Sequence, residues 1–150
     1  MFLRTQFKTV FQLAFFGLLF LFIMLQIFPY GRNHENPAII AEPKWDTPQT
    51  RVIFFRACGN CHSNETHYPW YSNVAPVSWI VQHDVETARK MFNVSEWGAR
   101  TNKALNAVDE ITKGEMPLSS YLNFHPEAKL TAHEKEILIQ GLNITFDKKE

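Results

Sequence analysis

The two cysteines of this chain stand three positions apart, and a histidine follows them directly. Cys58, Cys61 and His62 form the pattern Cys-x-x-Cys-His, which is typical of covalent attachment of c-type haem. Two thiols at this spacing can add to the two vinyl groups of haem, and the adjacent histidine is then held under the iron. The motif therefore predicts haem c as cofactor, with Cys58 and Cys61 as attachment sites and His62 as proximal iron ligand.

Three other roles are open to the same cysteines. A structural disulfide would suit an exported protein, but a bridge across two residues closes a tight ring and gives His62 no role. A thioredoxin-like redox pair would need a strand-helix unit around it, and the sequence has no strand pattern. A zinc site would need two more ligands at comparable spacing, and there is no second cysteine pair. Disulfide or redox chemistry remains the alternative to haem attachment.

Met116 is the candidate for the sixth iron ligand. It lies in the run Gly-Glu-Met-Pro, residues 114–117, between two predicted helices. A thioether ligand raises the reduction potential and suits electron transfer. The alternative is a methionine that fills a gap in the core, which is the role predicted for Met91 in a helical stripe.

Histidines are the rival sixth ligands, although a surface or hydrogen-bonded role is the ordinary one for any single histidine. His125 is beside Pro126 on a loop, and His83 is on a helix face, which makes these two the first to test. His67 and His133 are further options. A sixth position left open would instead favour peroxidase-like or ligand-sensing chemistry.

The amino-terminal region has 23 consecutive uncharged residues, 9–31. A helix of about 20 residues crosses about 30 Å of hydrocarbon. Arg4 and Lys8 precede the run and only Arg32 follows it closely, so the positive-inside rule predicts a cytoplasmic amino terminus. We expect a single-pass anchor in the bacterial inner membrane, with the haem domain in the periplasm. A cleaved signal peptide is the alternative, but the run is long and no small-x-small site follows it.

The composition limits what the exported part can be. The 150 residues include 15 basic and 15 acidic ones, without a long run of either sign. A length of this kind fits one ordinary domain, and the balanced charge makes a nucleic-acid binder an unfavoured class. The expected partners are redox proteins of the periplasm or membrane, and the oligomeric state stays open.

Hydrophobic periodicity predicts an all-α domain with long loops. The first helix begins at Pro48, capped by Asp46 or Thr47, and ends at the cysteines. A second helix is predicted over residues 77–92, and a third over residues 102–113 with Gly114 placed to end it.

A fourth helix opens with the capping box of Thr131 and Glu134 and is predicted to close at Gly141. Proline and asparagine before the first helix indicate a semi-extended, mobile tether. The expected divisions are an anchor at 1–30, a linker at 31–46, a haem domain at 47–145 and a polar tail at 146–150.

Several runs together resemble a known family. They are Cys-Gly-Asn-Cys-His-Ser-Asn (58–64), Tyr-Pro-Trp-Tyr (68–71), Ala-Pro-Val-Ser-Trp (75–79), Met-Pro (116–117) and Tyr-Leu-Asn-Phe-His-Pro (121–126) followed by a Leu-Thr-x-x-Glu helix start. The chain resembles, over about residues 48–142, the bacterial haem-binding domain family of membrane-anchored, single-haem c-type proteins, and more loosely the cytochrome c plan. The resemblance implies a periplasmic haem protein with Met116 as distal ligand.

Three functions compete at this stage. The first is an electron carrier tethered to the membrane, with an aromatic loop at residues 68–79 that excludes water from the haem. The second is a haem enzyme or sensor with an open sixth site and a polar distal group such as His125 or His83. The third is an assembly subunit in which the haem only stabilises the fold. A six-coordinate, redox-reversible haem would support the first function, a five-coordinate haem the second, and slow exchange with any redox partner the third.

Overall fold

The chain is a set of helices joined by long loops. A computed structural model describes residues 2–98 and 104–147, and within them there is no strand, only one isolated bridge between Ala41 and Glu96. The all-α class predicted from the sequence is confirmed. The helices form two compact units, the first made of residues up to 34 and 68–83, the second of residues 35–67 and 84 onward.

The first unit contains the long apolar helix α1 (Phe2–Leu25). Its segment from Gln6 to Leu25 has none of its side chains buried, and 20 residues extend about 30 Å. This helix is long and apolar enough to cross a membrane. The unit also holds a short 3₁₀ turn (Trp70–Asn73).

The cysteines lie at the end of a helical segment in the second unit. It is composed of α2 (Pro48–Phe54), a π-helical turn (Phe55–Gly59) and α3 (Asn60–His62), which follow one another without a break. We call residues 48–62 the cysteine helix. The predicted start is confirmed with Thr47 as the cap, because its Oγ1 accepts a hydrogen bond from the backbone N–H of Thr50 at 3.1 Å.

The next two helices agree in part with their predictions. Helix α4 (Val77–Met91) ends one residue before the expected position and contributes to both units. Helix α5 (Asn106–Lys113) begins later than expected, since Ala104 and Leu105 form a turn and residues 99–103 lie outside the described part. Gly114 ends α5 as predicted, with a left-handed φ of 80°. A short helix α6 (Ser119–Leu122) follows, and then a 3₁₀ turn (Pro126–Ala128).

The last helix, α7 (Ala132–Asp147), starts at the predicted capping box. Thr131 Oγ1 accepts from the Glu134 N–H at 3.2 Å, and Glu134 Oε2 accepts from the Thr131 N–H at 2.9 Å. The prediction that Gly141 ends this helix is wrong. Gly141 lies within α7 and faces Thr50 of α2, where a Cβ atom would overlap the threonine side chain. The glycine allows two helices to approach closely rather than ending one of them.

The core of the second unit is built around aromatic rings. Phe54 of α2 is 1% exposed and packs against Phe92 and Phe146 at ring-centre distances of 6.3 and 6.5 Å. Phe146 therefore packs with the core, although the expected boundary at 145 placed it in a polar tail. Leu138 and Leu142 of α7 complete the core and are fully buried.

The segment before α2 lacks helix, as expected for a tether, but part of it is bonded to the second unit. The Ile40 N–H donates to the Ser95 carbonyl at 2.8 Å, and the Trp97 N–H donates to the Ala41 carbonyl at 3.1 Å. The Asp46 N–H donates to Thr145 Oγ1 at 3.0 Å. Within the predicted tether, residues 40, 41 and 46 are therefore hydrogen-bonded through their backbone groups to other parts of the second unit.

Candidate functional site

Both cysteines and His62 line one apolar cavity in the second unit. The cavity has a volume of about 210 Å³ and opens to solvent. Its walls come from the cysteine helix, the end of α4, helix α5 and the chain between α5 and α6. Besides the motif, Met91, Met116 and Tyr121 line the cavity.

The cysteine helix places Cys58 and Cys61 on the same wall, because residues three apart in a helix lie on one face. Gly59 lies between them, and a Cβ at this position would lie 2.9 Å from the Phe55 ring, so that ring would have to move. Both thiols are free. Burial raises the pKa of Cys58 to about 12 and that of Cys61 to about 11, so both are neutral thiols at pH 7 in the folded chain.

His62 is fixed by the end of α4. Its Nδ1 is 3.2 Å from the Phe92 carbonyl oxygen, and its ring stacks on the Phe92 ring at 4.0 Å. Burial lowers the pKa of His62 to about 4, so the imidazole is neutral. With the proton on Nδ1 and donated to the carbonyl, Nε2 keeps its lone pair and can bind a metal.

The carbonyl group that positions His62 comes from the chain at the end of α4. The carbonyl belongs to Phe92, directly after α4, where the last carbonyls of a helix have no partner within the helix.

A buried polar turn follows Phe92 and was missed by the sequence reasoning. Asn93 Nδ2 donates to Asn64 Oδ1 at 2.7 Å, and Asn93 Oδ1 accepts from the Ser95 N–H at 3.0 Å. The Asn64 N–H in turn donates to Ser95 Oγ at 2.9 Å. The turn thereby joins the chain after His62 to the chain after α4. Its only sequence signal is the polar run that directly follows the periodic residues of α4.

Met116 lies on the wall of the same cavity, where it also packs against the core. Its backbone N–H donates to the Glu110 carbonyl at 3.2 Å, so the left-handed turn at Gly114 positions it. Met91 lines the cavity too and is 41% exposed. The expectation that Met91 is a core residue is therefore wrong.

The rival histidines are not among the described residues that line the cavity. His125 stacks on Tyr121 at 4.2 Å, and its Nδ1 contacts Glu127 Oε1 at 2.9 Å. His83 belongs to the first unit. His67 and His133 are exposed.

The aromatic loop does not have the role expected of it. Residues 68–79 belong to the first unit, and none of them lines the cavity. Tyr121 lines it instead, which the sequence did not reveal. Asn60, between the two cysteines, donates from Nδ2 to the Tyr121 hydroxyl oxygen at 2.8 Å, and burial raises the pKa of Tyr121 to about 12. The tyrosine is therefore protonated and can donate into the cavity.

A site that binds a bare metal ion finds no support. Within residues 2–98 and 104–147, no three His, Cys, Asp or Glu side chains are grouped so that they could hold a metal ion. The zinc alternative needs such a group.

Comparison with known families decides the class of cofactor. The model of a family described as the haem-binding domain matches residues 20–144. The chain belongs to the haem-binding domain family. No similar chain was found among curated proteins or solved structures.

The cavity of this haem-binding domain fits an iron porphyrin in its chemistry. An apolar lining suits the faces of the macrocycle, and the neutral imidazole of His62 offers a free nitrogen to the iron. Two thiols lie on the same wall as that imidazole, and Met116 adds a thioether sulfur. The residues that would hold the group are therefore Cys58, Cys61 and His62, with Met116 as the candidate second ligand.

Proposed function

We propose that this haem-binding domain is a single-haem c-type cytochrome, anchored in the bacterial inner membrane, that carries electrons on the periplasmic side. One observation carries the proposal: Cys58, Cys61 and His62 share the wall of an apolar cavity with Met116. The family match supports haem binding. The attachment, the ligands and the electron transfer are our proposal.

Each residue has a separate task in this proposal. Cys58 and Cys61 would hold the haem through two thioether bonds, each formed by addition of an S–H group across a vinyl group. His62 would offer Nε2 to the iron, with its Nδ1–H on the Phe92 carbonyl. Met116 would offer its sulfur as a second protein ligand. The bound haem would supply one-electron chemistry between the ferric and ferrous states.

The surroundings favour a high reduction potential. Thioether ligation and an apolar cavity both stabilise the ferrous state, because the ferric centre carries one more positive charge. Redox proteins of the periplasm or membrane are the proposed partners, and no nucleic acid takes part.

The anchor is supported by the length of α1 and by the charges around it. Helix α1 provides an unburied apolar segment from Gln6 to Leu25. The family match begins at residue 20, within α1, so the end of this helix is part of the family pattern. Arg4 and Lys8 on the amino-terminal side favour a cytoplasmic amino terminus.

A haem enzyme or sensor with an open sixth site is the second candidate. The Tyr121 hydroxyl favours it, because it gives the apolar cavity a hydrogen-bond donor that could meet an iron-bound ligand. His125 and His83, the distal groups first considered, do not line the cavity.

Absorption spectroscopy separates these candidates. The full chain is produced in a host with c-type haem maturation, and the ferric and ferrous spectra of wild type, Met116→Ala and Met91→Ala are compared. We expect low-spin haem in the wild type, with the weak far-red ferric band that marks methionine ligation. That band should be lost in Met116→Ala, which should bind carbon monoxide, and kept in Met91→Ala.

The matched methionine variant makes the assignment specific, because both side chains line the same cavity. Loss of the band in Met91→Ala alone would transfer the sixth ligand to Met91. A high-spin wild type that binds carbon monoxide readily would support the enzyme or sensor function instead.

A further inference from the structure

The first unit presents an exposed surface that is aromatic and free of charge. Between Glu65 and Asp84 there are 18 consecutive residues without Asp, Glu, Lys or Arg. The aromatic loop, residues 68–79, lies in this run. Its Trp70 is 79% exposed, and the next residue after the loop, Ile80 of α4, is 59% exposed. An exposed apolar surface of this kind is typical of an interaction site and not of an ordinary solvent-exposed surface.

The aromatic loop is bonded directly to the end of α1. Gln26, the first residue after that helix, donates from Nε2 to the Ala75 carbonyl at 2.9 Å. The Ala75 N–H donates back to Gln26 Oε1 at 3.0 Å, and Arg32 Nη2 donates to the same oxygen at 2.8 Å. Ala75 is fully buried and Gln26 is half-buried, so this reciprocal pair is partly removed from water.

Two further contacts hold the loop to the residues that follow α1. Gly31, with a φ of 79°, lies so close to the Ser78 carbonyl that a Cβ atom could not be placed there. His34 Nε2 is 3.0 Å from Ser72 Oγ, and its ring stacks on Tyr68 at 4.3 Å. The loop is therefore attached at three points along residues 26–34 and follows the position of the helix end.

The exposed apolar surface continues from α1 into the loop. Ile27 and Phe28 are 66% and 62% exposed, and the Phe28 ring meets the Trp79 ring edge-on at 6.4 Å. The same region is rich in amphipathic aromatic residues, since three of the four tyrosines and two of the four tryptophans lie within residues 30–79 outside the second unit. Tryptophan and tyrosine concentrate where a membrane meets water.

The length of α1 determines the depth of the aromatic loop relative to the membrane. The apolar segment from Gln6 to Leu25 matches the hydrocarbon thickness of about 30 Å. Gln26 then lies at the hydrocarbon edge, and the headgroup layer beyond it is only about 5–7 Å thick. Because Ala75 is hydrogen-bonded to Gln26, the loop falls within this layer.

We propose that the aromatic loop is a second membrane contact, with Trp70 and Ile80 placed among the lipid headgroups of the leaflet at which α1 ends. The occupant is lipid, because the surface is continuous with the lipid-facing side of α1 and has no charge for a polar partner. This inference rests on the proposed anchoring of α1, and it adds an interfacial element to a protein otherwise tethered by one helix.

Depth-dependent quenching tests the inference on the full-length, haem-loaded chain. Trp70→Cys, Ile80→Cys, Phe11→Cys and Lys113→Cys are each labelled with an environment-sensitive fluorophore. The proteins are placed in protein-free vesicles of phosphatidylcholine and phosphatidylglycerol. Quenching by doxyl-labelled lipid and by aqueous iodide is recorded as a ratio to the unquenched sample, so that constant quenching by haem cancels. Phe11 reports the span, and Lys113, exposed in the second unit, is the matched control.

The expected ratio of lipid quenching to iodide quenching is several-fold higher at positions 70 and 80 than at 113. Iodide quenching at 70 and 80 equal to that at 113, with position 11 quenched by lipid, would overturn the inference and leave the anchor intact. In that case the surface would meet a protein partner. Iodide access at position 11 would overturn the anchor itself, and the membrane contact with it.

Wild-type chain serves as the labelling control for the attachment chemistry. It should take up no label, because haem attachment consumes the thiols of Cys58 and Cys61. If wild type is labelled, thioether attachment is wrong, and the four positions are read in a Cys58→Ala, Cys61→Ala background. The membrane contact is then judged independently of the cofactor chemistry.

Discussion

Cys61 is the residue at which the attachment proposal is easiest to test, because it carries one thiol and binds no iron. Cys61→Ser should greatly reduce covalent haem, since the hydroxyl does not add to a vinyl group as a thiol does. Haem staining after denaturing electrophoresis measures the loss, and the Cys58→Ser, Cys61→Ser double variant sets the background. Full staining of Cys61→Ser would contradict the attachment.

The residues that could be predicted from the sequence are those whose chemistry is local. Cys58, Cys61 and His62 lie within five positions, so their spacing alone brings them to one side of a helix. Phe92 positions His62 through its backbone carbonyl group. Because every residue has such a group, the residue type at position 92 does not predict this contact. Tyr121 reaches the cavity because of the way the chain folds, and it accepts a hydrogen bond from Asn60 there. The spacing of residues along the sequence does not encode either contact.

At the scale of elements, the contact between α2 and α7 depends on Gly141. Gly141→Ala should lower the free energy of unfolding by about 1–3 kcal/mol, because the new methyl group overlaps the buried Thr50 side chain. This cost exceeds the gain in helix propensity of about 1 kcal/mol. Denaturant unfolding of the haem-loaded protein measures the change.

The exposed Asn143→Ala on the same helix is the control for that experiment and should be nearly neutral. The double variant Thr50→Ala, Gly141→Ala should be less destabilised than the sum of the two single variants, because the overlap is partly relieved. Strict additivity would show that the two side chains do not meet.

One ion pair joins the segment before α2 to that helix. Glu42 accepts from both Arg51 Nε and Nη2 at 2.7 Å and from Trp45 Nε1 at 2.8 Å. The hydrogen bonds from Arg51 lower the pKa of Glu42 below its ordinary value of 4.5. The carboxylate form is therefore favoured by folding.

Glu42→Gln should lower the free energy of unfolding at pH 7 by about 0.5–1 kcal/mol, a small value because the Arg51 side chain is 41% exposed. A carboxyl with a lowered folded-state pKa stabilises above its unfolded pKa and loses this effect as the pH falls through the folded value. The difference from wild type should thus be full at pH 7 and shrink below pH 4.5.

Unfolding midpoints at several pH values measure this dependence. The exposed Glu136→Gln on α7 is the control and should match wild type throughout. A difference that stays constant below pH 4.5 would contradict the ionic origin of the effect.

Helix ends show why prediction of elements succeeded only in part. The capping box at Thr131 and the left-handed turn at Gly114 are local, so their side-chain and backbone preferences are readable in sequence. Gly141 has the same residue type as Gly114, but its role is set by Thr50, which is distant in sequence. In the sequence, a glycine that ends a helix cannot be told apart from a glycine that allows a second helix to pack closely. The folded structure distinguishes them, because it shows whether a second helix lies against the glycine.

The whole molecule should behave as an integral membrane protein. Alkaline extraction of membranes should leave the mature chain in the pellet, because the side chains of α1 from Phe7 to Leu25 are apolar except for Lys8, Thr9 and Gln12 near its start. Immunoblotting of pellet and supernatant measures the distribution. A soluble product that begins beyond residue 30 would show that the segment is cleaved.

The contact between Thr50 and Gly141 joins two segments of the chain that are synthesised at different times. Gly141 is made about 90 residues after Thr50, an interval of roughly 5–20 seconds at ordinary rates of translation. During it, the cysteine helix lacks α7, and Phe54 has neither Leu142 nor Phe146 to pack against. The aromatic core around Phe54 is therefore completed only after α7 has been made.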